Sequence, residues 1–347
     1  MVANIVPKIE IQDLIFKTSD QELKREILGF VHSWNDSSPS FVVKTSGSTG
    51  IPKSIQLQKK YAVESAKRTG NFFSYQAGEQ LALCISIQTI GAKMMLIRAA
   101  CFQMKVQIYD VSRNPFETLS EAIKQVSLVP LQLAQLISES PEKLSYFESI
   151  LLGGAPVDDS LRKQIEDLHL NVYEGFGMTE CYSHIALRQV AGEDQRFRAL
   201  TGIRFSNLDE QLCIDAPHLG LEKLVTNDLV EVHSETSFSW IGRADFVINS
   251  GGYKFFPEKI ERKIGDLLTV PYFIFGQKNA EFGEIICLAL ESSPEVTPEN
   301  AIRSLLEQVL TSYERPKRIY FISTFERSSS GKIRRTETKK HIFESES

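Results

Sequence analysis

Between Thr45 and Lys53 the chain reads Thr-Ser-Gly-Ser-Thr-Gly-Ile-Pro-Lys, with four hydroxyl side chains, two glycines and one lysine in nine residues. That mixture suits a phosphate. Glycine lets backbone N–H groups approach closely and accepts positive φ. Successive amides form an anion-binding nest, and a lysine adds a mobile positive charge. The stretch does not match the Walker pattern, in which Lys follows Gly directly and a helix opens behind it. Here Pro52 stands between Gly50 and Lys53, and proline resists an immediate helix interior. The apolar run Phe41-Val42-Val43 precedes it and a second strand-like run follows. The segment therefore reads as a strand–loop–strand device for a nucleoside triphosphate outside the P-loop class.

Further segments of the same character follow in order. They are Leu151-Leu152-Gly153-Gly154-Ala155-Pro156, Tyr173-Glu174-Gly175-Phe176-Gly177-Met178-Thr179-Glu180 and Thr226-Asn227-Asp228. Beyond these come Gly242-Arg243-Ala244-Asp245, Ser250-Gly251-Gly252-Tyr253-Lys254 and Ser330-Gly331-Lys332-Ile333. Together with the first loop they resemble the ordered motifs of the acyl-adenylate-forming enzymes: acyl-CoA synthetases, peptide-synthetase adenylation domains and luciferases. The resemblance runs from about Phe41 to the end. Within that family, Met178 to Arg188 and Gly91-Ala92-Lys93-Met94-Met95 with Arg98 are similar to the short o-succinylbenzoate–CoA ligases of menaquinone synthesis. Three departures stand out. Only 44 residues precede the loop, so the resemblance implies that most of a first N-terminal subdomain is missing. Asn227 replaces a usual glycine, and no proline precedes Arg327.

The resemblance implies ATP, Mg2+ and coenzyme A as reactants, and assigns roles by position. Thr45, Ser46, Gly47, Ser48, Thr49, Gly50 and Lys53 would hold the β- and γ-phosphates. Gly153, Gly154, Ala155, Gly175, Phe176, Gly177 and Met178 would line the adenylate site. Thr179 would bond the α-phosphate, and Glu180 would bind Mg2+, a hard cation that prefers oxygen ligands. Asp228 would accept from the ribose hydroxyls, with Arg243 nearby. Asp245 would be the hinge, and Lys332 would enter the site on a mobile loop. Gly251, Gly252 and Lys254 would serve the thioester step. Lys93, Arg98, Ser183, His184 and Arg188 are candidates for the acid pocket. A carrier-protein-loading adenylation module, another small-acid ligase and a non-catalytic nucleotide sensor are the competing readings.

Composition bounds the rest. At 347 residues, 42% hydrophobic and 24% charged, the chain is an ordinary globular protein of two-domain size. A net charge of −5 argues against nucleic acid as a main partner. The basic tail Lys332, Arg334, Arg335, Lys339 and Lys340 reads as a solvated helix face. Five scattered cysteines with no CxxC pair suit reduced thiols in the cytoplasm. No apolar run reaches the roughly 18 residues of a membrane span. The longest, Leu81 to Phe102, is interrupted by Gln88, Lys93 and Arg98.

The elements that must position these motifs alternate strand and helix up to about Glu174, which predicts an α/β fold with a mostly parallel sheet and flanking helices. Helices are expected over 20–34, 60–73, 91–102, 115–124, 130–139 and 158–168. Strands are expected over 81–85, 106–109, 125–129, 149–152 and 171–174, with a loop from Gly175. Short strands follow to Val232. Asp245 divides an N-terminal domain (1–244) from a small mobile α+β domain (245–347), with helices at 257–267 and 298–310.

Overall fold

The computed structural model describes residues 6–44, 53–327 and 333–344. In chain order the first elements are β1 (Leu14–Phe16), α1 (Gln21–Asn35), β2 (Ser40–Lys44), β3 (Ser54–Gln58), α2 (Lys59–Phe72), β4 (Gln80–Leu83), α3 (Ile90–Phe102) and β5 (Lys105–Ile108). Next come β6 (Ile123–Leu128), α4 (Pro130–Glu139), β7 (Phe147–Leu152), α5 (Asp159–Asp167), β8 (Val172–Met178) and β9 (Ser183–Gln189). Five further strands follow: β10 (Phe197–Ala199), β11 (Arg204–Leu208), β12 (Gln211–Ala216), β13 (Leu221–Ser234) and β14 (Ser237–Arg243). The last elements are β15 (Ile248–Ser250), β16 (Tyr253–Phe255), α6 (Pro257–Ile264), β17 (Tyr272–Asn279), β18 (Gly283–Glu291), α7 (Glu299–Val309), β19 (Arg318–Ile322) and α8 (Arg335–Glu344).

Strands β1 to β14, apart from β2 and β3, form one twelve-stranded sheet in the order β1-β5-β4-β6-β7-β8-β9-β10-β14-β13-β12-β11. It is parallel from β1 to β8 and antiparallel beyond. β8 is therefore the shared strand, parallel to β7 and antiparallel to β9. The inner strands β4 and β6 are near-continuous buried runs, as strands covered on both faces must be. One face packs on α1 to α3 and the other on α4 and α5. β2 and β3 form a separate antiparallel hairpin. β15 to β19 form the second sheet, with α6 and α7 on one face and α8 on the other. Asp245 lies in a short turn between the two sheets.

Local sequence explains the key helices. Asp20 caps α1 by accepting from Glu22 and Leu23 N–H, and Leu23, Ile27, Phe30, Val31 and Trp34 form its buried face. α3 is buried from Ala92 through Ala99, so even Lys93 and Arg98 are enclosed. A helix apolar nearly all round belongs in a core.

Three expectations need correction. Residues 115–122 form turns and irregular backbone, and 123–124 open β6, so no helix forms over 115–124. Phe116 packs edge-on against Tyr109 and Phe147, and Lys143 Nζ donates to the Glu117 and Leu119 carbonyls that a helix would use internally. The segment from Gly175 is no loop, because β8 continues to Met178 by pairing with β9. The basic helix α8 is not merely solvated. Arg335 pairs with Glu261 at 2.7 Å, and Lys339 Nζ reaches the Gly276 carbonyl over the Phe275 ring.

Among the described residues, no helix is long and apolar enough to cross a membrane. Cys84, Cys181, Cys213 and Cys287 are buried and Cys101 half-buried.

Candidate functional site

The phosphate-loop motif falls between the paired strands β2 and β3, whose ladder runs from Ser40–Gln58 to Lys44–Ser54. Thr45, Ser46, Gly47, Ser48, Thr49 and Gly50 lie outside the described residues, and Lys53 is exposed at the start of β3. The base of the hairpin is fixed by Phe41, whose ring meets Trp34 at 5.4 Å and Phe30 at 6.0 Å. The strand-like runs on either side of the motif are thus paired with each other.

Gly153, Gly154 and Ala155 follow the carboxyl end of β7, and Gly154 adopts φ +89°. Ligands of parallel sheets collect beyond that edge. Gly175 to Met178 form the end of the neighbouring strand β8. Gly177 is required sterically, since a Cβ there would stand 1.9 Å from the Ser183 carbonyl oxygen. The Phe176 ring turns into a cluster with Phe197 and Phe238. A single 3-10 turn, Thr179–Cys181, then carries Thr179 half-buried and Glu180 exposed.

Asp228 and Arg243 are cross-strand partners on β13 and β14. The buried Asp228 carboxylate accepts the Trp240 indole N–H at 2.9 Å, and its other oxygen lies 3.9 Å from Arg243 Nη1. Arg243 also grips Asp245 through two bonds of 3.1 and 3.2 Å. Burial pushes the Cys181 thiol upward, and Glu180 and Asp228 add to that shift. Both carboxylates are thus near enough to Cys181 to act on it electrostatically. Gln58, at the end of β3, donates its N–H to Tyr182 Oη at 3.2 Å and brings the hairpin to the same place.

The four cations expected near the acid do not behave alike. Arg188 is held by Glu174 at 2.6 and 2.9 Å and stacks 4.7 Å from the Phe197 ring centroid. Lys93 donates to the Ile87 carbonyl beneath the Phe30 ring, and burial pushes it down to about 8. Arg98 is 1% exposed, and among the described residues no carboxylate pairs with it and its Nε finds no hydrogen-bond partner. Its Nη2 lies 3.4 Å from His184 Nδ1, and His184 Nε2 lies 2.9 Å from Thr69 Oγ1. A guanidinium can only donate, so Nδ1 accepts and Nε2 carries the imidazole proton. Burial and then Arg98 hold His184 well below its ordinary value, hence neutral. Ser183, beside it, adopts φ +89°.

Gly251 and Gly252 occupy the tight β15–β16 turn at φ +58° and +83°. Lys254 stands 3.9 Å from Glu210 in an exposed ion pair. Lys332 lies outside the described residues. Among the described residues, no group of three or more His, Cys, Asp or Glu side chains could hold a metal. Sequence reasoning missed Trp240, Tyr182 and Thr69. Each acts across a long chain separation, and no local pattern signals it.

A family model described as AMP-binding enzyme matches residues 8–213. A 2-succinylbenzoate–CoA ligase of Enterococcus faecalis is 24% identical over 340 residues, covering 88% of this chain and 69% of that one. Its counterpart in Haemophilus influenzae is 25% identical, covering 89% and 72%. An acyl-CoA synthetase (AMP-forming)/AMP-acid ligase II-like protein from Dyadobacter fermentans has 31% identity and a TM-score of 0.61, covering 94% of this chain and 96% of that one. The o-succinylbenzoate coenzyme A synthetase of Bacillus subtilis, solved with ATP and magnesium, has a TM-score of 0.69 at 19% identity, covering 86% and 69%.

Proposed function

The chain belongs to the AMP-binding enzyme family, and from that membership we propose the reaction and the parts played in it. It is an AMP-forming acid–CoA ligase that uses ATP, Mg2+ and coenzyme A. A carboxylate oxygen of the acid attacks the α-phosphorus of ATP, and the bond to pyrophosphate breaks. The thiolate of coenzyme A then attacks the acyl carbon, forming the thioester and releasing AMP. Thr45 to Lys53 hold the β- and γ-phosphates, Thr179 bonds the α-phosphate, and Asp228 receives the ribose hydroxyls. The bound Mg2+ neutralises triphosphate charge, and Glu180 supplies its protein oxygen. Lys332 stabilises the adenylation transition state. Asp245 is the pivot on which residues 245–347 turn relative to 1–244, bringing Gly251, Gly252 and Lys254 to the thioester step. The five scattered cysteines, with no CxxC pair, suit a cytoplasmic location.

The acid is 2-succinylbenzoate. The observation that carries this is Arg98, a fully buried guanidinium with no carboxylate partner among the described residues. A buried unpaired charge is costly, and a substrate carboxylate offsets that cost through charge-assisted hydrogen bonds. 2-Succinylbenzoate offers one carboxylate to react and a second to bind. The names of the relatives support the same acid.

The test is pyrophosphate release against a panel of acids, with coenzyme A and a phosphopantetheinyl carrier protein as alternative acceptors. Selective release with 2-succinylbenzoate and transfer to free coenzyme A are expected. Equal release with benzoates or medium-chain fatty acids removes the substrate assignment and leaves the family chemistry standing.

A further inference from the structure

The turn after Glu180 contains two features that the reaction above does not use. Tyr182 and Ser183 are consecutive non-glycine residues at φ +59° and +89°. A residue with a Cβ adopts the left-handed region at a cost, and keeps it only where its surroundings over-determine it. The surroundings of Tyr182 come from two directions. Ser65 Oγ on α2 donates to the Tyr182 carbonyl at 3.0 Å, and the phenolic oxygen accepts the Gln58 N–H at 3.2 Å. The ring is 5% exposed and meets Tyr61 edge-on at 6.0 Å.

Gln58 ends β3, the strand that leads out of the phosphate loop, and it also caps α2. Its N–H points at a side chain that is 124 positions away in sequence and two residues after Glu180. A phenylalanine would fill the same space. The hydroxyl is needed only for the link to the hairpin, and the left-handed backbone only to aim the ring at it.

We propose that Tyr182 is a positioning residue, a strut that fixes the Glu180 turn against β3 so that the Glu180 carboxylate is held in place for ATP–Mg2+. The inference rests on the reading of Glu180 given above.

Tyr182→Phe keeps the ring and removes the acceptor. Direct titration of ATP–Mg2+ onto the full chain should show a Kd raised about three- to tenfold, the range set by one lost hydrogen bond. Transfer of supplied acyl-adenylate to coenzyme A should not change. Gln58→Pro removes the donor at φ −81°, which proline accepts, and should give the same shift. The double variant should be no worse than either single one, because both cut the same bond. An unchanged Kd, additive losses, or equal slowing of both half-reactions overturns the strut. Glu180→Gln tests the underlying reading separately. If that variant keeps the Mg2+ dependence of ATP binding while Tyr182→Phe and Gln58→Pro still weaken it, the Glu180 assignment fails and the strut stands.

Discussion

Asp228 and Arg243 face each other across the β13–β14 ladder, yet the guanidinium leans to Asp245 at 3.1 Å and leaves Asp228 at 3.9 Å. One arginine therefore joins the proposed ribose carboxylate to the proposed hinge. Asp245→Pro would set φ near −65° and release the guanidinium. Adenylation and thioester formation, assayed separately, should lose rate by different factors. Identical losses would make Asp245 an ordinary turn residue.

Lys332→Ala should lower acyl-adenylate formation by roughly 10² or more, a few kcal/mol of transition-state stabilisation. Supplied acyl-adenylate should still pass to coenzyme A at the normal rate. Pyrophosphate release and thioester absorbance measure the two steps independently. Parallel loss in both would sink the assignment.

Arg98 and Arg188 should part company. Arg98→Lys keeps a charge but loses the planar fork, and kcat/KM for 2-succinylbenzoate should fall roughly tenfold or more while the analogue lacking the ring carboxylate is little affected. Arg188→Ala should instead cost stability, roughly 3 kcal/mol, because it leaves the buried Glu174 carboxylate unpaired. Denaturant melts and acid-panel kinetics separate these outcomes. A selectivity change from Arg188→Ala with a normal melt would reverse the two roles.

Glu258 on α6 predicts a pH dependence. Burial raises its carboxyl to about 7, with Arg335 opposing and Glu261 adding, and among the described residues Glu258 Oε2, beside Gly242 of β14, finds no hydrogen-bond partner. The folded chain thus holds a proton that the unfolded chain loses near the ordinary carboxylate value. Stability from this group is full below that value, declines as pH rises, and is gone above about 7. Glu258→Gln should flatten that decline and raise the melting temperature at pH 8 by a few degrees, on the order of 1–2 kcal/mol. A wild-type slope that survives the substitution would assign the titration elsewhere.

Much of this was legible from the chain alone, for identifiable reasons. The caps at Asp20, Thr89 and Asp158 and the apolar spacing of α1 and α5 are local signals, and those helices fall where the pattern puts them. The family was legible because the motif residues, taken in order, match one chemistry. What sequence could not give was pairing. Lys143 removes the carbonyls that a helix at 115–124 would need, and β9 turns Gly175–Met178 from loop into strand. Arg98 and Arg188 look equivalent as letters. Only the fold shows that Glu174 holds one and that no carboxylate among the described residues holds the other.

The enclosure of the native thiols has a practical consequence. Cys84, Cys101 and Cys181 are shifted upward by burial, so little reactive thiolate is available to alkylating reagents at neutral pH. The protein is then a quiet background for dyes coupled to introduced cysteines. Leu208 and Tyr313 are 56% and 76% exposed and lie on opposite sides of Asp245 in sequence. A donor–acceptor pair at Leu208→Cys and Tyr313→Cys would test the proposed rotation about Asp245 by single-molecule energy transfer, turnover by turnover, without removing a native cysteine.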